Sequence, residues 1–273
     1  MGAGIAEICA LAGLDVVVCV TSPASAERGR ARIVRSLDHA LRKGKLTEQD
    51  RDGALERLSF TADLDALADR QIVIESVLED EAVKVQVFRA LDKVVDDQRA
   101  ILATNTSATP IMKLGRATER AGHVVGTHFF NPAPVLPLVE IVPSLLTEED
   151  TVTRIASFVT EKLGKQVVRS PDRAGFMVNA LLIPYLLSAI RMLESGFASA
   201  EDIDSGMRLG CAHPMGPLRL VDMIGLDVIN AVAESLHAEF REPHYSPPPL
   251  LLRMVDAGLL GKKTGRGFHE YAR

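Results

Sequence analysis

The chain has 273 residues, 47% of them hydrophobic and 25% charged, the balance of a globular protein large enough for one sizeable core or two. A formal net charge of -5 disfavours nucleic acid as a partner. The three cysteines, Cys9, Cys19 and Cys211, are odd in number and form no CxxC pair, which argues against a disulfide framework or a zinc site and fits a reducing cytoplasm.

The N-terminal stretch "MGAGIAEICALAG" lacks the basic flank of a signal peptide and predicts a short Gly/Ala-rich helix. "LDVVVCV" follows as a continuous β-branched run, as expected for a parallel strand covered on both faces. Over residues 24–43 the apolar positions Ile33, Leu37 and Leu41 recur at four-residue spacing. Arg28, Arg30, Arg32, Arg35, Arg42 and Lys43 surround them, so the segment reads as a basic amphipathic helix ended by Gly44. "TEQD" from Thr47 predicts a capped second helix running to about Leu58. The runs "QIVIESVL" and "AILATN" read as strands around a helix carrying Val83, Val87, Phe88 and Leu91, and "HVVGTHFF" and "LPLVEIV" as two more. "TEED" from Thr147 predicts a capped helix ending at Gly164, and "KQVVRS" a last strand.

This alternation predicts an α/β fold, a doubly wound, mostly parallel, Rossmann-like sheet. Beyond Gly175 the patterns become helical, at 177–194, 199–209 and 222–240, with "SPPPLL" leading into a final helix. The longest apolar stretch, "VNALLIPYLLSAI", is too short to span a bilayer and contains Pro184. A boundary near 170–175 divides a dinucleotide-binding domain, 1–170, from an all-helical domain, 171–273.

In "GTHFFNPAPVLPLVEIV" a carboxylate, Glu140, sits inside an apolar strand. An ionised buried Glu without a partner costs several kcal/mol, roughly, so a partner is expected. Pro132, Pro134 and Pro137 bend the chain in a way that returns the second strand alongside the first, within reach of His128; a solvated edge-strand Glu and a structural His remain the plain alternative. "NTSA", residues 105–108, ends a strand, where open parallel sheets bind ligands, so Ser107 is either a substrate-oxygen donor or a cap. Asn179 opens an apolar helix, where its amide meets a substrate carbonyl or serves in capping or packing.

Together with "VIESVLEDEAVK", "ILATNTSA", "AGFMVNALLIPYL", "EDIDSGMRLGCAHPMGPLRLVDMIGLD" and "GLLGKKTGRGF", these stretches make the chain resemble, along nearly its whole length, the L-3-hydroxyacyl-CoA dehydrogenases, most closely the small bacterial 3-hydroxybutyryl-CoA type. The resemblance implies NAD-dependent interconversion of a 3-hydroxyacyl-CoA and a 3-oxoacyl-CoA. His128 is implied as general acid/base, Glu140 as its orienting carboxylate, Ser107 as the substrate-oxygen donor and Asn179 as the thioester contact. It further implies cofactor contacts from Gly2, Gly4, Glu79, Lys84, Asn131 and Lys263, coenzyme A contacts from Ser36 and Lys43, no metal, and a homodimer formed through the second domain.

The chain departs from the family in two places that bear on function. Family members open with a full strand and a GxGxMG turn, of which Met1 and Gly2 match only the last letters, so the resemblance implies a start assigned too far downstream. The strand-end acid that favours NAD is Val20 here, followed by Thr21. That leaves NADP open as cofactor, with Arg28 nearby. Smaller departures are Ala174, Ala180 and His269. A dehydrogenase of a free hydroxy acid or sugar acid, and a silent CoA-binding protein, are the competing expectations.

Overall fold

A computed structural model describes residues 1–271, and the chain divides into two compact units, Met1–Asp172 and Arg173–Arg273. Among the described residues no helix is long and apolar enough to cross a membrane.

The first unit opens with α1 (Gly2–Leu11), which buries Ile5, Ala6, Ile8 and Ala10 and stops before Gly13 at φ 82°. β1 (Val16–Cys19) leads to α2 (Pro23–Arg42), started by Ser22, whose hydroxyl accepts the Ser25 amide, and by Pro23. Ile33 and Leu37 are fully buried, while the arginines lie on the remaining faces. α3 (Glu48–Glu56) begins with the expected reciprocal Thr47–Asp50 capping box. β2 (Leu58–Thr61) was not expected, since the helix pattern was extended to Leu58. It pairs in parallel with β1, from Val16 opposite Leu58 to Cys19 opposite Thr61.

The remaining elements of the unit are β3 (Ile72–Glu75), α4 (Glu81–Val94), β4 (Ile101–Thr104), the short α5 (Ile111–Gly115), β5 (Val124–Phe129), β6 (Leu138–Val142), α6 (Glu149–Ser157) and β7 (Gln166–Arg169). β3 to β7 form one sheet in sequence order, parallel throughout except for the β5–β6 pair. That exception follows from the connection between them. Residues 130–137 hold no helix and fall short of the roughly dozen residues that a parallel crossover needs.

One face of this sheet packs Ile101, Ala103, Val125, Phe129, Val139 and Ile141 against α1 and α6, and Val16, Ile72 and Ile74 join the same cluster. Thr147 does not cap α6 as "TEED" suggested. Its hydroxyl donates to the Val124 carbonyl and accepts the Ser144 amide, and α6 begins two residues later.

The second unit is helical: α7 (Val178–Glu194), α8 (Ala200–Gly210), α9 (Pro217–Ile224), α10 (Leu226–Phe240) and α11 (Pro249–Asp256). The single helix expected over 222–240 is two, broken at Gly225, whose φ of 110° no helix accommodates. Ile183, Leu186, Ile190, Leu218, Val221, Ala233 and Leu236 make its core.

The tail is fastened by Asp222, whose carboxylate accepts the amides of Phe268 and His269 and the hydroxyl of Tyr271. Any side chain at Gly267 would place its Cβ 1.9 Å from Asp222 Oδ1. Gly261, whose Cβ would lie 2.3 Å from the Asp222 carbonyl oxygen, and Gly267 are therefore required by how closely this strap crosses α9.

Candidate active site

The antiparallel ladder sets His128 of β5 directly opposite Glu140 of β6, and the side chains meet with His128 Nδ1 2.7 Å from Glu140 Oε2. Glu140 is fully buried and His128 nearly so, with the Phe130 ring centred 4.6 Å from the imidazole. Gly126, two residues earlier on the same face, admits only a hydrogen. A Cβ there would lie 2.8 Å from Val142 Cβ and 2.9 Å from Ile111 Cδ1, so α5 packs directly on this part of the strand.

An ionised carboxylate can only accept, so Nδ1 carries the proton and Nε2 keeps the lone pair in the neutral ring. That is the tautomer a proton acceptor needs at Nε2. A carboxylate in this position also favours an imidazolium over the neutral ring.

Ser107, half-buried, lies in the loop after β4. This loop is tied down on every side. The Asn105 amide donates to the Glu75 carbonyl at 2.8 Å, and Asn105 Oδ1 accepts the Phe129 amide at 2.9 Å. Thr106 Oγ1 accepts the Thr109 amide at 2.8 Å and donates to Glu79, whose carboxylate also accepts from Thr109. Since β4 and β5 are parallel, Ser107 and His128 sit at the same C-terminal end of the sheet, where open α/β sheets take their ligands.

Of the residues that the resemblance connects to a cofactor, Gly2 and Gly4 stand at the N-terminus of α1, where first-turn amides and the helix dipole suit a phosphate. A Cβ on Gly2 would lie 3.4 Å from Ser76 Cβ, and one on Gly4 would press to 3.1 Å from Pro134 Cδ, so the bend before β6 packs closely on the first turn of α1. Glu79 has an exposed side chain, and Asn131 is exposed in the bend before β6. Lys84 is different: its side chain is 1% exposed, and its ammonium pairs with both Glu75 oxygens at 2.9 and 3.0 Å.

In the second unit Lys263 pairs with Asp227 at 2.5 Å. Burial pushes that acid up, but the Lys263 bond and charge outweigh it and hold Asp227 below its usual range. Asn179 occupies the second position of α7 and is half-buried.

Of the coenzyme A candidates, Lys43 is exposed at the C-terminal end of α2. The Ser36 hydroxyl instead donates to buried Glu7 at 2.9 Å. Burial raises the Glu7 pKa, and the Ser36 bond opposes that rise in part. Past the end of β1, Val20 lines a cleft of about 320 Å³ together with Pro23, Ala26, Glu27, Phe60 and Thr61, while Arg28 donates to Ser25 Oγ.

Sequence reasoning missed Glu75 and Thr104, which join Lys84 in a buried polar cluster. The signal was present, because Glu75 interrupts an apolar strand just as Glu140 does.

The model of the 3-hydroxyacyl-CoA dehydrogenase NAD binding domain matches residues 1–173, and that of the 3-hydroxyacyl-CoA dehydrogenase C-terminal domain matches residues 175–271. A 3-hydroxybutyryl-CoA dehydrogenase of Mycobacterium tuberculosis is 58% identical over 271 residues, covering 99% of this chain and 95% of its own. One from Bradyrhizobium diazoefficiens is 42% identical over 271 residues, covering 99% and 92%. The crystal structure of (S)-3-hydroxybutyryl-CoA dehydrogenase PaaH1 from Ralstonia eutropha superposes with a TM-score of 0.95 at 44% identity, covering 100% of this chain and 96% of that one. With a Rossmann-like first unit, a helical second unit and a His–Glu pair at the ligand end of the sheet, the chain belongs to the 3-hydroxyacyl-CoA dehydrogenase family.

Proposed function

We propose that the protein interconverts a short-chain 3-hydroxyacyl-CoA, of the 3-hydroxybutyryl type, and its 3-oxoacyl-CoA. The observation that carries this is the buried His128–Glu140 pair, 2.7 Å apart, at the sheet end that also bears Ser107. His128 Nε2 takes the proton of the substrate 3-hydroxyl, and in reverse returns it to the 3-oxo oxygen, a role that contributes about 10²–10⁴-fold. Glu140, fully buried, holds Nδ1–H and balances the imidazolium. The Ser107 hydroxyl holds the same substrate oxygen, and Asn179 is assigned to the thioester. A bound nicotinamide supplies the hydride acceptor.

Gly2, Gly4, Glu79 and Asn131 are proposed to hold the dinucleotide, with Lys263 also assigned to it. NAD is favoured by the match to an NAD binding domain, while Val20, an apolar residue at the strand end, leaves room for NADP. Lys43, free in solvent on the arginine-rich α2, suits the phosphates of coenzyme A, and Ser36 lies two turns before it on that helix. Exposed Leu181, Phe197 and Leu209 on the second unit support a homodimer through that unit, and the cysteine usage supports a cytoplasmic setting.

The test is acetoacetyl-CoA-dependent oxidation of NADH, and separately of NADPH, by the purified chain, with free coenzyme A as competitor. Turnover inhibited competitively by coenzyme A is expected. Turnover of free acetoacetate with no effect of coenzyme A would favour a hydroxy-acid dehydrogenase. Binding without turnover of either would leave a CoA-binding protein.

A further inference from the structure

Resting on the dehydrogenase reading above, we propose that Glu27 is a specificity-determining residue for the dinucleotide, accepting a hydrogen bond from the adenosine ribose 2′-hydroxyl of NAD and repelling the 2′-phosphate of NADP. In doubly wound sheets this choice is made at the end of the strand that follows the phosphate-binding helix, where an acid takes the ribose or an arginine takes the phosphate. Val20 occupies that strand end and can do neither.

The cleft beside Val20 supplies what it lacks. α1 starts against Ser76, just past the end of β3, and the turn at Gly13 reverses the chain so that β1 runs back toward that starting end. The cleft opens where β1 and its parallel neighbour β2 both finish. Its volume of about 320 Å³ falls at the lower end of the roughly 300–1,000 Å³ of ligand pockets. Val20, Ala26 and Phe60 give it apolar walls suited to an adenine ring, and Glu27 is the one ionisable residue among those that line it. The Phe60 ring is held in place by α2. A Cβ on Gly29 would lie 3.3 Å from Phe60 Cε1, and the Arg30 guanidinium sits 5.6 Å from the ring centre.

The neighbouring cations are engaged and leave Glu27 available. Arg28 donates to Ser25 Oγ at 2.9 Å, and Arg30 reaches the Leu58 carbonyl and the Phe60 ring. Among the described residues the exposed Glu27 carboxylate makes no ion pair and no side-chain hydrogen bond. It stands in the second turn of α2, beyond the reach of N-capping and largely beyond the helix dipole, so the helix itself gives this acid no role. A free carboxylate offers lone pairs to a ribose hydroxyl and only like charge to a phosphate. The two nucleotides therefore meet opposite interactions there.

The test measures dissociation constants of NADH and NADPH by fluorescence titration of the full chain, without acyl-CoA, in the wild type, Glu27→Gln, Glu27→Lys and Arg28→Ala. The wild type is expected to bind NADH at least about tenfold more tightly, by a margin that narrows as salt is raised because the Glu27 charge is open to screening. Glu27→Gln is expected to shrink the preference by about tenfold and Glu27→Lys to reverse it, while Arg28→Ala keeps it within about threefold.

Equal affinities in the wild type, or a preference unchanged in folded Glu27→Gln and Glu27→Lys, would overturn the proposal. So would a folded chain that binds neither nucleotide, or NADPH binding that depends on Arg28. The dehydrogenase reading fails separately. A chain with the Glu27-dependent preference but no acetoacetyl-CoA turnover keeps the proposal and loses that reading, and turnover with equal affinity for both nucleotides does the reverse.

Discussion

Each unit of the molecule holds a buried histidine against a buried carboxylate. His128 Nδ1 lies 2.7 Å from Glu140 in the first, and His269 Nε2 lies 2.8 Å from Asp204 in the second. By distance and burial the two pairs are near equivalents, and their surroundings separate them. Asp204 also accepts the amides of Leu218 and Arg219 at the N-terminus of α9, so its charge serves as a helix cap and His269 adds the C-terminal strap to it. Glu140 sits in mid-strand between fully buried Val139 and Ile141, at the ligand end of the sheet. A close His–carboxylate pair is thus a fastening in one place and, in the function proposed above, a proton-handling device in another, according to what else the carboxylate holds.

That contrast breaks most sharply at the first pair. His128→Gln is expected to lower kcat about 10³-fold and Glu140→Gln at least about 10²-fold, with acyl-CoA binding nearly unchanged in both, as read by steady-state kinetics beside a binding titration. Near-normal turnover in Glu140→Gln would make both pairs structural.

The second pair is expected to respond in the opposite currency of observables. Asp204→Asn weakens three charge-assisted bonds, so stability falls by about 2 kcal/mol and the melting temperature by several degrees, measured by calorimetry, while kcat per folded molecule stays within about twofold. Stability unchanged by Asp204→Asn would remove the fastening role.

The smallest effect is expected at a third buried acid, Glu7, whose carboxylate accepts from the neutral Ser36 hydroxyl. Burial raises its folded pKa above the unfolded value, so the fold favours the protonated acid. Its contribution is therefore fullest below the ordinary glutamate range and declines as pH rises through that range to the raised folded value. Glu7→Gln should flatten this slope and leave the protein equally or more stable at neutral pH, by no more than about 1 kcal/mol, in denaturant titrations at pH 4 and 7.5. A wild type that gains stability relative to the variant over that interval would contradict the sign.

Much of this was legible in the sequence, for physical reasons that vary by element. α2 announced itself through Ile33, Leu37 and Leu41 at helical spacing, and α3 through the Thr47–Asp50 box, because both signals are local. The proline-rich return that faces Glu140 with His128 was readable because an interrupted apolar strand demands a compensating partner.

β2 escaped notice because four residues, "LSFT", are too few to show a period of two. The break at Gly225 was hidden by apolar residues continuing across it, with only the backbone angle marking the change. The Thr147 cap was misassigned because the same hydroxyl found a tertiary acceptor in Val124. The Lys84 contact was carried from family resemblance alone, and its burial against Glu75 depends on strand-end packing that no local pattern encodes.

The most direct measurement compares Glu140→Gln and Asp204→Asn side by side, recording acetoacetyl-CoA turnover and thermal stability on the same preparations. The account predicts that Glu140→Gln loses at least about 10²-fold in turnover while still binding acyl-CoA, and that Asp204→Asn keeps its turnover but melts several degrees lower. Full turnover in Glu140→Gln, or loss of turnover confined to Asp204→Asn, would contradict the assignment of the catalytic proton to the His128–Glu140 pair.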